Sequence, residues 1–141
     1  MDAVFVAISF VGSDALAQEM GDKGAGVIVS QVVPFPGDAS LKVVADYHAA
    51  IKAAGGTPEF VSLEGYLVGR LAIAALEKAG KDVTRAGLIK AIKETGSFDI
   101  GGLPMTFSAT KNEGLDKVFM TVIQADGSFK SVEKLVKTSS N

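Results

Sequence analysis

Two apolar runs open the chain, separated by a short polar stretch with helical spacing. Ala3–Ser9 (AVFVAIS) is β-branched and apolar at nearly every position, which predicts a strand buried on both faces, as in parallel sheets. Phe10–Gly12 turns the chain, and Ser13 or Asp14 is placed to cap a short helix, Ala15–Met20, that Gly21 stops. Ala25–Val33 (AGVIVSQVV) is a second strand of the same kind, ended by Pro34-Phe35-Pro36-Gly37. Together these segments predict a right-handed β-α-β unit with parallel strands.

The period then changes. Asp38 is placed to cap a helix over Ala39–Ala54, with Leu41, Val44, His48 and Ile51 as its apolar stripe and Gly55-Gly56 as its end. Thr57-Pro58-Glu59 is a helix start: a capping hydroxyl, a proline at the first helical position, then an acid that suits the helix dipole. The helix it opens, to about Ala79, is apolar nearly all round (Val61, Leu63, Leu67, Val68, Leu71, Ile73, Leu76), which predicts a central, buried element. Gly80 stops it, and Thr84 opens a third helix with Leu88, Ile89 and Ile92 on one face, ended by Gly96. The remainder reads as β. Met105–Phe107 is a short strand and Lys111–Gly114 a turn, and Lys117–Gln124 and Ser128–Leu135 flank a tight Asp126-Gly127 hairpin. Lys137–Asn141 is expected to fray.

Composition narrows the function classes. At 141 residues and 48% hydrophobic, the chain suits one domain of ordinary size with a real core. Fourteen basic and sixteen acidic residues leave a net charge of −2 with no basic run, so no nucleic-acid surface is expected. The absence of cysteine removes disulfides, zinc-thiolate sites and thiol nucleophiles together. A single histidine, His48, sits on an apolar stripe and reads as a packed side chain. No catalytic residues, metal ligands or cofactor are assigned, and an enzyme is not expected. Gly21-x-x-Gly24-x-Gly26 follows a helix and precedes a strand, the reverse of a phosphate-binding loop. The apolar N-terminus, Val4–Val11, is too short to span a bilayer and has no Lys/Arg-rich leader, so no signal peptide is read there.

One feature of the order is physically odd. The first two strands read as interior strands of a parallel sheet, yet only one β-α-β unit precedes the helical region. Missing sheet neighbours are therefore expected, supplied by an N-terminal portion or by a second copy.

Ser9-Phe10-Val11-Gly12-Ser13-Asp14-Ala15-Leu16, then Gly24-Ala25-Gly26-Val27 and Gln31-Val32-Val33-Pro34, resemble periplasmic substrate-binding proteins of ABC transporters. The leucine/isoleucine/valine-binding family is the nearest likeness. Ser62-Leu63-Glu64-Gly65-Tyr66 running into Ala74–Gly80, Gly102–Phe107, and Ala125–Phe129 agree with it in order. The resemblance covers essentially the whole chain but only about the last two-fifths of a typical member. It implies an α/β fold: part of the type I periplasmic-binding-protein (Rossmann-like) architecture, with a β-α-β unit, three helices and a C-terminal β-hairpin. In that layout residues 1–33 belong to the second lobe, 34–38 to a crossover and 39–108 to first-lobe helices and a short strand. Residues 109–141 form a turn and a hairpin returning to the second lobe.

Carried over by position, the resemblance assigns ligand contact to Ser9, Phe10 and Tyr66, with Glu64 as an acid for a ligand ammonium and Val33 and Pro34 as hinge. Amino-acid binders of the family often place an acid where Ser9 stands. The implied partners are a small polar, amino-acid-like solute and, through the full-length protein, the membrane subunits of an ABC transporter; the implied compartment is the periplasm. The alternative is a self-associating α/β module without its own solute, a domain-swapped homodimer through an exposed sheet edge.

Overall fold

A computed structural model describes residues 3–81 and 83–133. They divide into two compact units: unit 1 is Met1–Pro36, Glu59–Val61 and Lys117–Asn141, and unit 2 is Gly37–Pro58 and Ser62–Asp116. Leu135 and the Lys137–Asn141 tail lie outside the described residues.

Unit 1 is a four-stranded sheet ordered β1-β2-β5-β6, from β1 (Val6–Ile8), β2 (Ile28–Gln31), β5 (Phe119–Ile123) and β6 (Phe129–Val132). β1 and β2 are parallel, with Val6 opposite Ile28 and Ile8 opposite Ser30. β5 runs antiparallel to β2 and to β6. The expected hairpin turn is present: Gly127 takes φ +79°, open to a residue without a Cβ, and Asp126 accepts bonds from the amide and hydroxyl of Ser128. Those bonds hold the Asp126 carboxyl below its ordinary range. Helix α1 (Ser13–Met20) covers one face, where Ala17, Val27, Val29 and Ile123 form the core with Ala7, Leu16, Met20 and Phe129 against it. β2 and β5 read as apolar on both faces because both faces are covered; Ile28 and Val122 are buried opposite the α1 side.

β1 departs from expectation. It is short, lies at the sheet edge, and exposes Val4, Phe5, Val6 and Ile8, with Phe5 at 66%. Its composition is that of a double-sided interior strand, while its one described neighbour is β2. The cap of α1 also differs. Gly12, not Ser13 or Asp14, holds the cap position, and the Ser13 side chain is buried.

Unit 2 contains helices α2 (Lys42–Ala53) and α4 (Arg85–Thr95), most of α3 (Phe60–Ala79), and a hairpin of β3 (Ser97–Asp99) and β4 (Pro104–Thr106). α2 begins three residues later than expected. The Asp38 carboxylate accepts a bond from the Ser40 amide and so forms a turn ahead of the helix instead of its cap. The first turn of α2 is satisfied from elsewhere: the Val43 amide donates to the Gly101 carbonyl at 2.9 Å. That contact requires glycine at 101, because its φ is +100° and a Cβ there would stand 3.1 Å from the Val43 nitrogen. Asp99 Oδ1 holds the hairpin tip by accepting from the amides of Gly101 and Gly102.

The stripe of α2 is turned relative to expectation: Val43, Val44 and Tyr47 are buried, and His48 and Ile51 are half-buried. α3 is not buried all round. Phe60, Leu63, Leu67 and Ala75 face inward at helical spacing, while Val61, Val68, Ile73 and Leu76 are exposed. It starts at Phe60, so Pro58 precedes the helix and does not open it. Thr84 caps α4 as expected, its hydroxyl accepting from the Gly87 amide at 3.0 Å. β3 carried no recognised strand signal; its three residues alternate exposed, buried, exposed, too short a pattern to stand out.

Candidate functional site

In open α/β sheets, ligands are taken outside the carboxyl ends of the strands, where side chains can leave the sheet without disturbing it. In unit 1 that place is the turn from β1 into α1. Ser9–Val11 forms a single 3-10 turn; the Gly12 amide donates to the Ser9 carbonyl at 2.9 Å, and the Leu16 amide donates to the Gly12 carbonyl at 2.9 Å. Gly12 reverses the chain at φ +78°. Ser9 is half-buried and Phe10 is 89% exposed, beside the exposed Val11. At that exposure the ring adds little to the packing of unit 1.

Beneath the turn lies a polar group that sequence reading passed over. Val27, Val29 and Gln31 share the α1 face of β2 by strand alternation. Gln31 Nε2 donates to Ser13 Oγ at 2.8 Å and to Thr121 Oγ1 at 3.4 Å, and all three side chains are buried. Thr121 Oγ1 in turn donates to the Val29 carbonyl. The signal was present as a lone Gln inside VIVSQVV, a polar residue at a core position. Asp14, next in the helix, has its carboxyl pushed above the ordinary value by burial first and by the nearby Glu59 charge second. A groove of about 340 Å³ runs along the flank of α1 to the β5–β6 turn, lined by Asp14, Gln18, Asp22 and Asp126. Neither Ser9 nor Phe10 lines it.

The other expected contacts lie in unit 2. Tyr66, on α3, is half-buried; its ring lies 5.6 Å from that of Tyr47, and its hydroxyl accepts a bond from Arg70 Nη1 at 3.1 Å. Arg70 also approaches Asp46 at 3.8 Å, and Asp46 is paired with Lys42 at 2.6 Å. Tyr47 is fully buried and shares a hydrogen bond with Ser62 at 2.5 Å. Glu64 is exposed, and two residues along a helix turn through about 200°, so it projects from the side of α3 away from Tyr66. Val33 and Pro34, the expected hinge, are both buried in unit 1, which extends through Pro36. Phe35 of this crossing segment packs on Phe60, and Phe60 on Phe129, at 6.1 and 5.4 Å between centroids. Among the described residues no group of three or more His, Asp or Glu could hold a metal ion, and no helix is long and apolar enough to cross a membrane.

The family profile of periplasmic binding proteins matches residues 2–128. The chain belongs to that family. Its members are solute-binding proteins of the periplasm, and the type I fold expected from the sequence is the one observed. A crystal structure from Rhodopirellula baltica SH 1, described as a possible leucine/isoleucine/valine-binding protein, is 36% identical with a TM-score of 0.84; the alignment covers 94% of this chain and 36% of that one. An extracellular ligand-binding receptor from Verminephrobacter eiseniae is 29% identical with a TM-score of 0.78, covering 92% and 38%. A substrate-binding periplasmic protein from Ralstonia solanacearum, at 22% identity and a TM-score of 0.78, shares the fold. The chain therefore spans a little over a third of the length of these solved relatives. No curated protein matches it. None of these findings supports a self-associating module.

Proposed function

We propose that this chain is the C-terminal portion of a two-lobed receptor that captures an amino-acid-like solute for an ABC uptake transporter. Unit 1 corresponds to second-lobe structure and unit 2 to first-lobe structure. The ligand-facing element is the Ser9–Gly12 turn. One observation carries this reading: Phe10 stands 89% exposed at the carboxyl end of β1, in a chain of the periplasmic binding protein family. The similarity to a possible leucine/isoleucine/valine-binding protein supports an aliphatic amino acid as the ligand class. The open edge of β1 and the exposed apolar side of α3 fit surfaces that further receptor structure would cover.

Of the four expected contacts, Ser9 and Phe10 combine position with accessibility. Tyr66 is engaged by Arg70 and Tyr47 at the α2–α3 seam, and the reading does not rest on it or on Glu64. The test is a chemical-shift titration of the isotope-labelled chain with L-leucine, L-isoleucine and L-valine at millimolar concentration. Shifts centred on Ser9–Gly12 are expected. Saturable shifts centred elsewhere, such as the groove along α1, with none in the turn, would overturn the assignment.

A further inference from the structure

Gln31 is only 1% exposed, and its Oε1 is buried without a hydrogen-bond partner among the described residues. An orphaned buried acceptor costs roughly 1–3 kcal/mol, so a Gln in a sheet core is a poor choice for stability alone. An apolar side chain of similar size would remove that penalty. What Gln31 does make is specific. Its Nε2 reaches from the last residue of β2 to Ser13, the first residue of α1, and that helix start has no side-chain cap. Ser13 directly follows Gly12, the reversal point of the 3-10 turn that presents Phe10. The second arm of the amide, to Thr121, fixes Gln31 to β5, whose hydroxyl is itself tied to the Val29 carbonyl. The turn is thus braced from below by the two central strands, through one side chain, at the start of α1.

We propose that Gln31 is the positioning residue of the Ser9–Gly12 turn: acting through Ser13, it holds the ligand-facing turn in register with the carboxyl end of β2. This inference rests on the ligand-facing reading of that turn. The experiment compares the full 141-residue chain with Gln31→Met, Ser13→Ala and the double variant. It measures residue-resolved amide hydrogen exchange and L-leucine-induced shifts at Ser9 and Phe10. In each single variant, exchange at Leu16 and the first-turn amides should rise about tenfold, while Ile28 and Ile123 in the sheet stay within about twofold. The double variant should not exceed either single one, because both remove the same bond. The leucine shifts should fall by about half or more. A merely structural Gln31 would instead raise exchange at Ile28 and Ile123 as much as at Leu16; that result, or unchanged first-turn exchange in both single variants, would overturn the proposal. If the wild-type turn shows no leucine shift while exchange changes as expected, the ligand-facing reading fails and the positioning role stands.

Discussion

The α2–α3 seam of unit 2 and the strand ends of unit 1 place their polar and apolar side chains in opposite ways. At the α2–α3 seam unit 2 follows the usual rule, although α3 exposes Val68, Ile73 and Leu76 elsewhere: Tyr47, Leu63 and Leu67 are inside, while Lys42, Asp46 and Arg70 form a partly exposed charged rim. At one end of its sheet unit 1 inverts the rule. Ser13, Gln31 and Thr121 are buried between the start of α1 and the sheet, while Ile8 and Phe10 face solvent. Local conflicts between residue type and environment concentrate where a protein does something other than fold. The inversion sits at the carboxyl ends of β1 and β2, where this architecture takes its ligands. Burial thus separates the α2–α3 seam, shaped by packing, from the sheet end to which the ligand-facing role is proposed.

Substitutions can break that contrast, beginning in unit 2. Tyr47→Ala should cost about 3–5 kcal/mol, read as a fall in the urea midpoint at unchanged slope, because a fully buried ring leaves a cavity. Gly101→Ala should cost about 1–3 kcal/mol in the same assay, since it strains a left-handed position and crowds the Val43 amide that Gly101 caps. Arg70→Ala should cost no more than about 1 kcal/mol, because its partners Asp46 and Tyr66 lie on a partly exposed rim.

Unit 1 should respond differently. Asp14 has a folded-state pKa raised above its unfolded value, so the fold favours its protonated form. Stability is therefore full below the ordinary carboxylate range and is lost as pH rises through the folded value. Asp14→Asn should raise the thermal midpoint at pH 7, and the gain should vanish below about pH 4. A loss at pH 7 would show that the Asp14 charge is favourable where it stands. Phe10→Ala should alter stability by less than about 0.5 kcal/mol, as expected for a ring with no packing partner to lose. A larger cost would mean that Phe10 belongs to a core and not to a ligand surface.

The legible parts of the fold were those fixed by local chemistry. Gly21, Gly80 and Gly96 ended helices, Thr84 capped α4, and Asp126-Gly127 made the hairpin turn, each through an interaction within a few residues. What misled was anything decided across the chain. Asp38 looked like a cap, but α2 is capped from the Gly101 carbonyl some sixty residues on. The apolar residues of β1 and α3 signalled burial, and Val6, Ile8, Val68 and Ile73 are exposed. The pattern reports how a surface is built, not whether its partner is present. The candidate turn was legible mostly through family resemblance, and in part through its place after the first strand. Gln31, quoted in the Gln31–Pro34 stretch of the resemblance but given no role there, became visible when the structure showed where its amide points.

Cleft-closing receptors gain affinity by surrounding the ligand, so under the proposed function, in which this chain supplies only part of that enclosure, it should hold the ligand loosely. Calorimetric titration of the isolated 141-residue chain with aliphatic amino acids and small carboxylates tests this most directly. The account predicts no dissociation constant tighter than about the millimolar range. Submicromolar binding of any member of the panel would contradict it.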